Sequence, residues 1–323
     1  MVVNGYARRW WGYLLHFLVA SLLLAGGALI VSCGDSTQGP PIDLGASPAK
    51  SPPVPSAESG VDTLVLAVAA VNSPTSSLKA YEDLAHYLGD HLHIAAKVVG
   101  SKTYAEINSL VRSGDAALAV VCSGAYVFGN TEFGMELLAS PVIAGKQTYQ
   151  SYLIVPASSS AEKLTDLQGK TFAFTDPLSN SGRLVPLYEL SRLSKTPETF
   201  FSKYIFTYSH ENSIKSVAHE LVDAAAVDSL IYDHALVTGE DDVSKTKVIW
   251  RSPTFAINPL VVSPRLDPTR KAALKSLLVS MDLDPAGAVI LQELGIDRFG
   301  EADDASYEPV RKMANAVGGG FVP

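Results

Sequence analysis

The sequence predicts an α/β protein in two lobes, with mixed, mostly parallel sheets flanked by helices. Three observations lead there. Apolar, strand-like runs alternate with helix-periodic segments, the pattern of βα units. The stretch carrying that pattern, residues 62–323, is long enough for two lobes. The residues before it show neither period and read as a leader and a spacer.

Residues 1–32 read as a lipoprotein signal peptide. Arg8 and Arg9 form a basic start without acids, an apolar stretch runs from Tyr13 to Val31, and the segment closes on Ile30-Val31-Ser32-Cys33. That tetrapeptide resembles a bacterial lipobox, in which the thiol of Cys33 takes a diacylglyceryl group and cleavage makes Cys33 the new N-terminus. Several acyl chains hold a protein on a membrane where one alone is marginal. An uncleaved anchor is the alternative, because the run approaches spanning length. Either reading places the rest of the chain outside the cytoplasm, periplasmic or at the cell surface. Residues 33–61 read as a disordered tether: residues 34–60 hold 10 Gly or Pro and 5 Ser in 27 positions, too few large apolar side chains to bury a core.

The folded part then proceeds element by element. Thr63–Val71 reads as a strand, and Leu78, Tyr81, Leu84, Leu88 and Leu92 share one helical face. Ile94–Val99, Ala116–Cys122, Leu137–Ile143 and Tyr149–Pro156 read as strands, with a short helix over Tyr104–Arg112. A second series follows: a short helix at Leu164–Leu167, strands at Thr171–Thr175, Tyr204–Tyr208, Ala224–Val227 and Lys247–Trp250, and helices at Ser181–Ser194, His210–Glu220 and Ser229–Val237. The tail from Pro268 reads as helical.

Without residues 1–32, the 25 Lys and Arg lose Arg8 and Arg9, leaving 23 against 33 acids, a net charge of −10. That excludes a nucleic-acid binder, which needs a basic footprint. An anionic ligand must therefore be held by local donors. Cys122 is the one other cysteine, so no disulfide framework or cysteine-based metal site is expected. It reads as a small buried hydrophobe.

Three segments carry chemistry. In Thr175-Asp176-Pro177-Leu178-Ser179-Asn180-Ser181-Gly182, an apolar strand passes through a polar loop into a helix. Ser179, Asn180 and Ser181 stand where free N–H groups and the positive end of the helix dipole make an anion site without Lys or Arg. Gly182 would let a ligand approach the backbone. The plain reading is ordinary capping. His210, at a second strand-to-helix junction, offers a ring N–H; a capping or solvent-facing histidine is the plain alternative. Asp228 follows directly on a buried strand, at the end where open α/β sheets bind ligands, or else caps the next helix.

These segments occur in order with Ser101-Lys102-Thr103-Tyr104-Ala105-Glu106, Gly114-Asp115-Ala116-Ala117-Leu118-Ala119, Tyr149-Gln150-Ser151-Tyr152-Leu153-Ile154-Val155 and Val248-Ile249-Trp250-Arg251-Ser252-Pro253. Together they resemble the phosphate, phosphite and phosphonate-binding proteins of ABC importers, over about residues 62–310. The resemblance implies a two-lobed Venus-flytrap of the type II periplasmic-binding class, with residues 62–152 plus 257–323 in one lobe and 153–256 in the other. The crossings fall near Ser151–Pro156 and Pro253–Pro259. It implies that Ser179, Asn180 and Ser181 hold a small phosphorus oxyanion, that Tyr104 and Tyr149 add hydroxyls from the other lobe, and that His210 adds a donor. It also implies an ABC permease as partner, a monomer and no cofactor. Positions where aminophosphonate binders carry carboxylates hold Leu230 and Asn258 here, so 2-aminoethylphosphonate is not expected as the main ligand, although Asp228 keeps one acid nearby. Asp228 is expected to accept a proton from a singly protonated phosphorus oxyanion and so to reject sulfate.

Two other functions are open to the sequence. Ser181, His210 and Asp228 are the residue types of a hydrolytic triad, but there is no Gly-x-Ser-x-Gly elbow. A sensor lipoprotein of the same fold, serving a receptor, has the same sequence features as a transport component. His86, His91 and His93 are close in sequence, yet they straddle a helix end and read as solvated, so no metal is expected.

Overall fold

The computed structural model describes residues 63–69, 78–318 and 321–322. The leader, Cys33 and the tether lie outside the described residues, as do the last two positions of the strand expected over Thr63–Val71.

The first lobe starts with β1 (Thr63–Ala69), α1 (Leu78–Leu92), β2 (Ala95–Ser101), α2 (Tyr104–Ser113), β3 (Leu118–Val120), α3 (Ser123–Phe133) and β4 (Glu136–Val142). The short β5 (Thr148–Tyr149) leads to the second lobe: β6 (Ser151–Pro156), β7 (Thr171–Phe174), α4 (Val185–Arg192), α5 (Pro197–Phe200), β8 (Lys203–Phe206), α6 (His210–Ala218), β9 (Ala224–Asp228), α7 (Ser229–Thr238), α8 (Asp241–Ser244) and β10 (Thr246–Arg251). The chain returns through β11 (Phe255–Ala256) to β12 (Leu260–Val262), α9 (Pro268–Val279), α10 (Pro285–Glu293), β13 (Arg298–Gly300) and α11 (Glu308–Val317).

The strands form a six-stranded sheet in the order β13-β4-β12-β3-β1-β2, a five-stranded sheet β10-β6-β9-β7-β8, and a two-stranded ribbon β11-β5. Each large sheet is mixed. Parallel pairing is confined to two trios, β2-β1-β3 and β9-β7-β8. The antiparallel partners of those trios, β12 and β6, are the strands that enter just after the chain has crossed from the other lobe.

Period-two alternation explains how the first sheet is covered. Leu64, Leu66 and Val68 of β1 pack with Leu84 and Leu88 of α1, Leu274 and Leu278 of α9 and Leu291 of α10. Ala67 and Ala69 face the other way, into a cluster with Ile107 and Val111 of α2, Ala125 and Tyr126 of α3, and Val310 and Met313 of α11. With both faces covered, β1 is apolar from Leu64 onward. Burying each leucine contributes about 1.5–3 kcal/mol. The second cluster continues into the other lobe through Leu178, Leu184 and Val185, so the lobes share part of one core.

The structure departs from the sequence reading at three places. The run Tyr149–Pro156 is two strands in different sheets, divided at Gln150. The helix expected from Ser181 begins as a π-type turn over Asn180–Leu184, in which Val185 N–H bonds Asn180 C=O, before α4 takes over. Pro186 lies in the first turn of α4, where a missing N–H costs nothing. Finally, α3, β12 and β13 carry no clear sequence period. Buried residues succeed one another from Ser123 to Val127 of α3, so no polar stripe marks the helix, and β12 and β13 are three residues each.

Candidate functional site

The carboxyl ends of the parallel strands from both lobes converge. Strand β7 ends at Thr175 and Asp176, β8 leads to His210 and β9 ends at Asp228; from the other lobe, β2 leads to Tyr104 and β3 to Cys122 and Ser123. The seven site residues expected from sequence, Tyr104, Tyr149, Ser179, Asn180, Ser181, His210 and Asp228, are all at most 2% exposed. Hydrogen bonds tie several of them to one another.

On the second lobe, the helix start is capped by its own loop. Ser179 Oγ accepts from Gly182 N–H at 3.0 Å, Asp176 Oδ1 accepts from Leu178 N–H at 2.8 Å, and Ser151 Oγ donates to Ser181 C=O at 2.7 Å. The capping role is thus realised for Ser179. Gly182 is required for a different reason from the expected one. A Cβ there would stand 2.3 Å from Thr175 Oγ1 and 2.5 Å from Thr175 Cβ, so the glycine admits the strand end rather than a ligand. His210 is held just as firmly. Its Nδ1 accepts the backbone N–H of Asp228 at 3.0 Å and lies 3.3 Å from Thr175 Oγ1. Because Nδ1 accepts, the ring proton is on Nε2, and a neutral His210 offers one N–H donor.

The first lobe meets this edge through hydroxyls and backbone. Tyr149 OH is 2.8 Å from Ser123 Oγ of its own lobe and accepts from Asn180 Nδ2 of the other at 3.0 Å. Tyr104 N–H, at the start of α2, donates to Asp176 Oδ2 at 3.3 Å, and Cys122 Sγ donates to Leu178 C=O at 3.2 Å. Tyr104 is placed by a capping box: Thr103 Oγ1 accepts from Glu106 N–H at 3.2 Å while Glu106 Oε2 accepts from Thr103 N–H at 3.1 Å. Gly124 lets α3 approach the loop, since a Cβ there would meet Leu178 C=O at 2.4 Å. Asp176, Ser123 and Cys122 were not among the expected site residues. The Asp-Pro step at the end of an apolar strand was the signal for Asp176; Ser123 carried none, because α3 itself was not apparent.

Burial sets the electrostatics. It pushes the Asp228 carboxyl up to about 7, against the pull of hydrogen bonds from Leu230 N–H and Asn258 Nδ2, and the Asp176 carboxyl up to about 6. It pushes His210 down to about 3 and the Cys122 thiol up to about 12, and it holds Tyr104 and Tyr149 well above the ordinary tyrosine value. Near neutral pH the histidine is uncharged and the tyrosines are protonated donors.

The residue types of a triad are not arranged as one. The Asp228 carboxylate bonds Leu230 N–H at 2.8 Å and Asn258 Nδ2 at 3.4 Å, while His210 Nδ1 is taken by a backbone N–H, so no carboxylate orients the imidazole as a base. Among the described residues no three His, Cys, Asp or Glu side chains are grouped as a metal site; His91 Nδ1 bonds Tyr87 C=O of its own helix at 2.8 Å.

Comparison with known proteins agrees with this geometry. Residues 66–307 match the profile of a family described as ABC transporter, phosphonate, periplasmic substrate-binding protein. The phosphonates-binding periplasmic protein of Escherichia coli is 29% identical over 184 residues, covering 55% of this chain and 54% of that protein. The chain spans about half the length of the curated relatives it matches. Among solved structures, a binding protein component of an ABC phosphonate transporter from Pseudomonas aeruginosa superposes with a TM-score of 0.73 at 23% identity, covering 79% of this chain and 86% of the other. PhnD1 from Prochlorococcus marinus, in complex with methylphosphonate, gives 0.70 at 19% identity, covering 78% and 97%. Both share the two-lobed fold.

Proposed function

This chain belongs to the family of periplasmic phosphonate-binding components of ABC transporters, and from that premise we propose that it captures a small phosphorus oxyanion, such as phosphate, phosphite or an alkylphosphonate, between its lobes and delivers it to an ABC permease. The observation that carries the reading is Tyr149 OH, bonded to Ser123 Oγ of one lobe and to Asn180 Nδ2 at the helix start of the other. Ser179, Asn180 and Ser181 present the phosphoryl-binding helix start, where free N–H groups favour an anion. Tyr104 and Tyr149 add hydroxyls and His210 adds its Nε2–H. Asp228 accepts the proton of a singly protonated ligand. Sulfate, which has no proton to give, then faces a buried carboxylate and is rejected.

The same reading keeps the two lobes the sequence implies, 62–152 plus 257–323 and 153–256, with the bounds moved by two residues because β6 joins the second sheet from Ser151 and β11 pairs with β5, and makes closure about the β5–β11 ribbon the binding motion. It makes Cys33 the lipid-bearing residue, residues 33–61 the tether, and the chain an extracytoplasmic monomer on a bacterial membrane. It needs no cofactor and no catalytic step.

The test is the melting temperature of the full chain in detergent with phosphate, phosphite, hypophosphite, methylphosphonate, 2-aminoethylphosphonate or sulfate. A ligand at 100 times its Kd stabilises the folded state by about 2.7 kcal/mol. A rise with at least one phosphorus oxyanion and none with sulfate is expected. No rise with any of them at millimolar concentration defeats the reading. Discrimination against sulfate that survives Asp228→Asn removes the role given to Asp228 alone.

A further inference from the structure

Asn258, between β11 and β12, donates from Nδ2 to Asp228 Oδ2 at 3.4 Å, and its Oδ1 is buried without a hydrogen-bond partner. An ionised Asp228 only accepts, so above its pKa this contact sets the amide with its nitrogen on Asp228 and its oxygen turned to another group. A buried acceptor left unpaired costs about 1–3 kcal/mol. The same holds at Asn180, whose Nδ2 donates to Tyr149 OH and whose buried Oδ1 has no partner. Asp228 lies opposite Ser151 in the β9–β6 ladder, and Ser151 Oγ donates to Ser181 C=O, next to Asn180, so both amides belong to one cluster. The cluster is short of hydrogen-bond donors, and phosphoryl oxygens are almost wholly acceptors.

The rest of the ligand can supply the missing donor. An ammonium group would supply donors, but it would need a full counter-charge to offset its desolvation. The acceptors on hand are neutral amides and one carboxyl, Asp228, which on the reading above is engaged by the phosphoryl proton. A hydroxyl supplies a donor and brings no charge.

We propose that Asn258 is a specificity-determining residue whose amide oxygen, oriented by Asp228, accepts a hydrogen bond from a hydroxyl near the phosphorus atom, so that the site takes hydroxyalkylphosphonates in preference to alkyl- and aminoalkylphosphonates. This rests on the phosphorus-oxyanion reading above. Calorimetric titration of the full chain in detergent with hydroxymethylphosphonate, methylphosphonate and aminomethylphosphonate tests it. Hydroxymethylphosphonate is expected to bind roughly tenfold tighter than methylphosphonate, the effect of one satisfied buried hydrogen bond, with aminomethylphosphonate weakest. Asn258→Leu is expected to bring the hydroxymethyl-to-methyl ratio to about one, and Asn258→Asp to turn the preference toward aminomethylphosphonate. Equal wild-type affinity for the hydroxymethyl and methyl compounds overturns the proposal while leaving phosphonate binding intact. If none of the three binds, the oxyanion reading fails and this inference fails with it. The wild-type comparison decides the matter even where a variant does not fold.

Discussion

The two sides of the cleft are built differently. On the second lobe, Ser179 caps its own helix start, His210 is fixed by Asp228 N–H, and Thr175 packs against Gly182. These contacts lie within the lobe. On the first lobe, the contacts that reach the cleft run across it: Tyr104 N–H to Asp176, Cys122 Sγ to Leu178 C=O, and Tyr149 OH to Asn180 Nδ2. The second lobe's edge is held by contacts within its own lobe, and the first lobe's edge by contacts made across the cleft. Preorganised donors hold an anion without reorganisation cost, whereas contacts made only on closure set how far the closed state is favoured.

Gly182→Ala is the strongest way to break this asymmetry. The new methyl must displace Thr175, an overpacking that costs roughly 1–3 kcal/mol. We expect the variant to be about 2 kcal/mol less stable to urea and to bind phosphonate roughly 30-fold more weakly. Unchanged stability would show that the second lobe's edge is adaptable. Tyr149→Phe attacks the other side. It leaves Ser123 Oγ and Asn180 Nδ2 without their shared partner, costing about 1–1.5 kcal/mol, close to tenfold in Kd. An unaltered Kd by titration would show that closure does not depend on this hydroxyl.

The smallest effect concerns pH and sharpens the comparison, because at the cleft Tyr104 and Tyr149 stay protonated near neutrality while the second lobe contributes a carboxyl raised to about 7. Asp228 is raised to about 7, so its contribution to stability is greatest below the unfolded value of 3.8 and is lost as pH rises through about 7. His210, lowered to about 3, acts in the opposite sense, costing stability as pH falls below 6.5. Comparing wild type with Asp228→Asn cancels the histidine. Acidifying from about pH 8 to about pH 6.5 should stabilise the wild type by roughly 1 kcal/mol more than the variant. Parallel stability curves would mean that Asp228 is ionised throughout.

The sequence made the second lobe's edge easier to read than the first. Ser179, Asn180, Ser181, His210 and Asp228 each follow an apolar strand, and strand-to-helix junctions are where backbone donors lie free. The first lobe's share was less legible. Ser123 sits at the head of a helix whose first five residues are all buried, so no period announced α3. The role of Gly182 was misread because its constraint is Thr175, a residue seven positions earlier that is brought against it only when β7 and the helix start fold together. The crossing at Gln150 was hidden because Tyr149 and the apolar residues 152–155 read as one run, while β5 and β6 join different sheets.

Of the three bonds named between the lobes two are modest, a thiol donor from Cys122, a weak type, and a 3.3 Å contact from Tyr104 N–H to Asp176, while Asn180 Nδ2 to Tyr149 OH at 3.0 Å is the firmer one. Affinity differences among related complexes reside mostly in dissociation rates. On the proposed function, such a latch leaves most of the hold on a bound anion to the ligand's own contacts, so that residence time follows the cargo more than the jaws.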